Sequence, residues 1–285
     1  MTAAGAAAPA PTRRMVRAAR MSDDDRESRR PTARVIFERV KEDAEDELAR
    51  PDRALSTSAL FAGFTLGAAP MAVAVAVALL TGGNEKLVAS LFYPIGYVAV
   101  IVGRGQLFTE NTLYPVVSSL EDPRKIPRTL RLWAVVLAGN LAGGAAFAAI
   151  AVKTGALPHD AVTEFVHLGD KAASRAFADT FWSALLTGWL LALVAWVIEG
   201  ADEAISQIAV IWLLTFPVAL ASLDHSVASA ITVLGALFDG RVRFGEAVGW
   251  EGTTILANIV GGVMIVALIN YGQVATEAAE EESGA

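Results

Sequence analysis

Gly139-Asn140-Leu141-Ala142-Gly143-Gly144 recurs 118 residues later (258 − 140) as Ala257-Asn258-Ile259-Val260-Gly261-Gly262. Each copy lies in a run without Asp, Glu, Lys or Arg, Leu132 to Val152 and Gly252 to Ala275. Such a run is long enough for the roughly 20 residues an α-helix needs to cross a bilayer core of about 30 Å. Working outward, further uncharged runs extend from Ala54 to Asn84, Thr180 to Ile198 and Ala204 to Leu223. The spans read as Leu55–Thr81, Leu87–Leu120, Leu132–Val152, Phe177–Ile198, Ala204–Phe238 and Gly252–Tyr271. The chain is 54% hydrophobic, with a mean hydropathy of +0.47, more apolar than a soluble domain of 285 residues. A lipid bilayer is therefore the first partner it implies.

The second and fifth spans are too long for simple crossings, and both carry polar residues in mid-run. The second holds Gly103-Arg104-Gly105-Gln106-Leu107-Phe108-Thr109-Glu110-Asn111, and the fifth holds Ser222-Leu223-Asp224-His225-Ser226. Charges at that depth cost several kcal/mol unless they face protein or water. Both spans are therefore expected to be broken helices, with their irregular backbone shielded inside the protein. The 118-residue offset sets Gln106 on Asp224 and Leu107 on His225, and lands the first span on the fourth. Two copies of a three-span unit must lie in the membrane with opposite orientation, because three is odd. The fold class is thus an all-α integral membrane protein of six transmembrane helices, two inverted three-helix repeats whose second helices are broken, an arrangement suited to moving solutes. Asn140, Gly143, Gly144, Asn258, Gly261 and Gly262 are assigned to close helix packing.

Around this channel domain, residues 54–272, the remaining segments are charge-rich. Residues 1–33 are Ala/Pro-rich, then dense in Arg and Asp, and are expected to be disordered. Residues 34–53 place Ile36, Val40, Ala44 and Leu48 four apart, a narrow apolar stripe on a solvated or interfacial helix. Residues 273–285 form an acidic tail. An even number of spans puts both ends on one side. Arg39, Lys41, Arg50, Arg53, Arg124, Lys125, Arg128 and Arg131 fall there, eight cations, against six on the other side (Lys86, Lys153, Lys171, Arg175, Arg241 and Arg243). That excess favours cytoplasmic termini in the cell (inner) membrane.

Of three histidines, His159 and His167 fall in a connection and read as solvated. His225 lies at the second break, where an ionisable group marks a functional site. Asp224, His225 and Ser226 do not make a hydrolase triad, since consecutive residues point to different sides of the chain. With no cysteine and one histidine in the spans, no metal or cofactor site is expected, nor is enzyme activity or a nucleic-acid partner. Half-helices beginning near Thr109 and just after His225 would aim free backbone N–H groups at the midplane and favour an anion.

Leu107-Phe108-Thr109, Lys171 before the fourth span, Asp224-His225-Ser226-Val227-Ala228 and Ala257 to Gly262, in that order and spacing, resemble the formate/nitrite transporter family over Leu55 to Tyr271. The resemblance implies an aquaporin-like fold, a homopentamer with one pore per protomer, and passage of small anions such as formate, nitrite, hydrosulfide or lactate. It makes His225 the central histidine, Thr109 the loop threonine and Lys171 the vestibule lysine, with Leu107, Phe108 and Asp224 beside them. Asp224 stands where the family usually has Glu, Ser229 and Gly188 where it usually has Asn, and Tyr93, Tyr97 and Val218 at a constriction usually built of Phe and Leu. A neutral-solute channel of aquaporin type is disfavoured, as neither break carries Asn-Pro-Ala. A scaffold or sensor working through the charged N-terminal tail is the alternative from another class.

Overall fold

The computed structural model describes residues 31–273 and residue 276, so the tail expected at 1–33 and the acidic tail at 273–285 lie almost wholly outside the described residues. From Ala33 onward the described residues are helical, without strands. Helix α1 is Ala33–Ala49. The first span is α2, Asp52–Leu66, continued by α3, Ala68–Leu79. The second consists of α4, Glu85–Ser90, α5, Pro94–Val102, and, after an irregular stretch, α6, Tyr114–Glu121. The third is α7, Ile126–Lys153. A surface helix α8, His159–Ala173, leads to the fourth span, α9, Phe177–Ile198. The fifth is α10, Ala204–Leu220, and α11, Ala228–Asp239, either side of a second irregular stretch. The sixth is α12, Phe244–Val260, whose ladder widens to a π-helix over Gly261–Ala267. Five of these stretches are long and apolar enough to cross a membrane in one piece; the fifth span is the exception, divided into apolar helices of 17 and 12 residues.

The glycines of the repeat bring the first and third helices of each half together. A Cβ on Gly143 would stand 2.2 Å from the Leu60 carbonyl oxygen, and one on Gly261 would stand 2.1 Å from that of Leu185. In the same way Gly63 meets the Asn140 carbonyl at 2.0 Å and Gly188 meets that of Asn258 at 2.2 Å. These pairs correct the register expected for the first helices. Third spans match at 118 residues (261 − 143), whereas first and fourth spans match at 125 (188 − 63, 185 − 60). The seven extra residues lie in the first half, between its first helix and its break: Arg104 follows Gly63 by 41 residues (104 − 63), whereas Ser222 follows Gly188 by 34 (222 − 188). Gly188, which stands where the resemblance expects Asn, is thus a contact point between backbones.

Lys171, before the fourth span in the sequence, lies in the last turn of α8. One further expectation changes: helix α1 is packed against the bundle and is not simply solvated. Its buried stripe is Phe37, Val40, Ala44 and Leu48, with Ile36 half-buried, and Phe37 and Val40 join a core with Leu113, Val117, Ala195 and Trp196. Polar clasps reinforce this. Arg39 donates to the Glu199 carbonyl at 2.7 Å, Lys41 pairs with Glu121 at 2.6 Å, and Glu45 takes hydrogen bonds from Ser118 and Lys125.

Candidate functional site

The two breaks are built by the same rules. Helix α5 ends when Gly105 N–H bonds the Val100 carbonyl at 2.8 Å, and α10 ends when Leu223 N–H bonds that of Val218 at 2.8 Å. One residue in each turn takes a left-handed conformation, Arg104 at φ +56° and Ser222 at φ +53°, again 118 apart (222 − 104). Non-glycine residues rarely do so, and the surroundings must hold them there.

Asn140 and Asn258 supply much of that hold. The Asn140 amide oxygen accepts from Phe108 N–H at 2.9 Å while its nitrogen donates to Gln106 and Ala59 carbonyls at 2.8 and 2.9 Å. Asn258 repeats the set, accepting from Ser226 N–H at 2.9 Å and donating to Ala184 and Asp224 carbonyls at 2.6 and 3.4 Å. Ser58 and Ser183 accept from Gln106 and Asp224 N–H at 3.2 and 2.9 Å. Helix packing was the role expected of the two asparagines. Their side chains instead satisfy backbone groups that broken helices leave without partners, as burial in a membrane demands.

Where the breaks meet, the repeat stops being symmetric. His225 is fully buried, and its Nε2 lies 2.9 Å from Thr109 Oγ1. Its Nδ1 accepts from Val227 and Ala228 N–H at 3.0 and 2.9 Å. An acceptor at Nδ1 leaves the proton of the neutral imidazole on Nε2, so Nε2–H donates to Thr109 and the threonine keeps its own O–H to give. The half-helices therefore differ from expectation. Those two amides at the start of α11 are spent on the imidazole and are not free for an anion. Near Thr109 only a 3₁₀ turn forms, Glu110–Thr112, and α6 begins at Tyr114.

The neighbours of His225 diverge as consecutive residues must. Asp224 turns to Arg175, which donates to its carboxylate at 2.6 Å and to the Ser222 carbonyl at 2.7 Å. Ser226 Oγ is buried without a partner. No relay connects the three. Ser229 Oγ accepts from His225 N–H at 3.0 Å. Phe108 packs edge-on to Trp133 with centroids 6.2 Å apart, and Leu107 is buried. The Tyr97 ring stands perpendicular to the imidazole, centroids 5.5 Å apart, and its hydroxyl is 2.8 Å from that of Tyr93. Tyr93 and Val218 line a cavity of about 110 Å³ with Lys171, Arg175, Asp224 and Ser229. At the other end a cavity of about 150 Å³ is lined by Asp43, Glu47, Arg50, Arg104, Gln106 and Glu110.

The family described as formate/nitrite transporter matches residues 34–272. The chain belongs to the formate/nitrite transporter family. It is a multi-pass membrane channel or transporter. It is 33% identical over 258 residues to the inner membrane protein YfdC of Escherichia coli (strain K12), covering 88% of this chain and 81% of that one. It is 30% identical over 207 residues to a probable formate transporter of Methanothermobacter thermautotrophicus, covering 66% of this chain and 75% of that one. Among solved structures, a formate/nitrite transporter family ion channel superposes with a TM-score of 0.73 at 20% identity, covering 85% of this chain and 99% of that one. A pentameric formate channel with formate bound gives a TM-score of 0.65 at 20% identity, covering 79% and 100%.

This formate/nitrite transporter homologue carries site features that a reading of its sequence did not single out. Arg175 was visible only as a cation near the fourth span. Its place on Asp224 depends on two segments 49 residues apart meeting. Ser58 and Ser183 gave no motif at all. Helix α1 enters the site through Asp43 and Glu47, although its charged face reads like any solvated helix.

Proposed function

We propose that the chain passes small monovalent anions of weak acids, formate and nitrite foremost, along a route past His225 and Thr109. The observation that carries this reading is the 2.9 Å contact between them, one residue from each broken span, on an imidazole whose other nitrogen is tied to backbone. Lys171 is exposed at the cavity beyond Tyr93 and raises the local concentration of anions there. Asp224 would repel them, but Arg175 offsets its charge. Tyr93, Tyr97 and Val218 narrow the route and strip water, which is costly for an anion. The Thr109 hydroxyl, oriented by Nε2–H of His225, then offers a hydrogen bond in place of water. Leu107, Phe108 and Ser229 hold these groups in place. A homopentamer with one such route per protomer is supported by the pentameric formate channel of like fold. The basic loop of Arg124, Lys125, Arg128 and Arg131 favours cytoplasmic termini.

Reconstituted protein tested by stopped-flow against a panel of small monovalent anions decides the matter. Formate and nitrite should cross, and His225→Phe should abolish their flux or its pH response with assembly intact. Assembled His225→Phe protein with unchanged flux and pH profile would refute the role given to the histidine.

A further inference from the structure

Between the cavity at Lys171 and the imidazole of His225 stand two phenols, Tyr93 and Tyr97, four residues apart on one face of the second span. Both are buried, at 7% and 0% exposure, and their hydroxyls are 2.8 Å apart. Two hydroxyls carry two hydrogens, and only one can lie between the two oxygens. The second has no acceptor among the described residues. A buried donor without a partner is costly, so an intermittent partner that reaches this place is stabilised. Packing does not require the hydroxyls. Phenylalanine fills nearly the same volume; Val218, Val73 and Pro70 around the cavity offer no polar side chain, and the acceptors Asp224 and Ser229 that share it already take hydrogen bonds from Arg175 and His225 N–H.

We propose that the Tyr93–Tyr97 hydroxyl pair is a hydrogen-bonding station that selects oxyanions over anions whose acceptor is sulfur. An arriving carboxylate or nitrite takes the free O–H. Rotation of the other hydroxyl frees a second donor, so the solute exchanges two hydration hydrogen bonds for two protein ones. Hydrogen bonds to a charged oxygen are strong, whereas sulfur is a weak acceptor, so hydrosulfide gains little from the same two groups. The station stands between the Lys171 cavity and the Thr109 hydroxyl. It rests on the transport reading above and adds to it which chemistry of anion is favoured.

The test measures uptake of labelled formate and labelled hydrosulfide into proteoliposomes, each corrected for the leak of protein-free vesicles. Wild type is compared with Tyr93→Phe, Tyr97→Phe and the double variant, with assembly checked by native mass spectrometry. In the double variant formate uptake should fall about tenfold or more, as expected for losing hydrogen bonds to a charged group, and hydrosulfide uptake less than about threefold. Each single variant should lie between. An unchanged ratio of the two anions, or an equal fall in both, overturns the station and leaves transport standing. Wild-type protein that moves neither anion overturns the transport reading, and the station with it.

Discussion

At the scale of residues, the commitment of both imidazole nitrogens is the main constraint on mechanism. An added proton on His225 has only Nδ1 to go to, where Val227 and Ala228 N–H already point. Protonation therefore releases the first turn of α11 as well as changing charge, and the pH response of flux should vanish with the imidazole. His225→Asn keeps an acceptor for those amides and should retain conduction while losing its pH dependence. Thr109→Ser preserves the hydroxyl that Nε2–H orients and should keep most of the flux. Thr109→Ala removes it and should reduce formate flux about tenfold, in line with roughly 1.5 kcal/mol for one hydrogen bond to a charged group. Equal flux in the two threonine variants would exclude Thr109 as a donor.

At the scale of elements, helices approach where side chains are absent. Gly143→Ala or Gly261→Ala forces a methyl into a carbonyl oxygen near 2 Å away, so α7 must part from α2, or the sixth span from α9. Either should lower stability by roughly 1–3 kcal/mol in a thermal melt. Gly249→Ala, a helical position with nothing within 4 Å of the new Cβ, should be neutral or mildly stabilising. Docking of α1 has its own signature in pH. Hydrogen bonds from Lys125, then from Ser118, hold the Glu45 carboxyl below its ordinary range. Burial pushes Glu47 up against the pull of Arg50. A depressed carboxyl supports docking above its unfolded pKa of ~4.3 and stops doing so as pH falls through the folded value. A raised one does the reverse, favouring the docked state as it protonates above that pKa. Protection from hydrogen exchange over residues 33–49, with the intrinsic pH dependence of exchange divided out, should therefore rise slightly between pH 7 and 5 and fall below about pH 4. Protection that falls steadily from neutral pH would contradict the Glu47 part of this account.

At the scale of the whole molecule, the two ends of the proposed route differ in charge. One cavity has Lys171 and Arg175 with Asp224, and the other has Asp43, Glu47 and Glu110 with Arg50 and Arg104. An anion is thus concentrated at one end more than at the other. Lys171→Ala should lower flux at low salt more than at high salt, because salt screens steering with a Debye length of about 10 Å at 0.1 M. A loss independent of salt would mark Lys171 as structural. Native mass spectrometry in mild detergent should report a pentamer, and monomers alone would contradict the assembly proposed here.

The sequence by itself determined the spans, the breaks and the pairing of the halves. Uncharged runs, misplaced polar residues and a repeated Asn-x-x-Gly-Gly are one-dimensional signals, since the bilayer imposes one length and one polarity on every crossing. It also pointed to His225 and Thr109, because each sits at a break. Tertiary structure alone decided what those residues touch. The 125-residue register of the first helices, the grip of Asn140 and Asn258 on the break loops, the Arg175–Asp224 pair and the docking of α1 all join segments far apart in the chain. So does the contact of Nε2 with Thr109, 116 residues away. Hydrogen bonds form wherever a donor and an acceptor are brought within 3 Å, and in this protein that placement comes from small residues that let backbones meet.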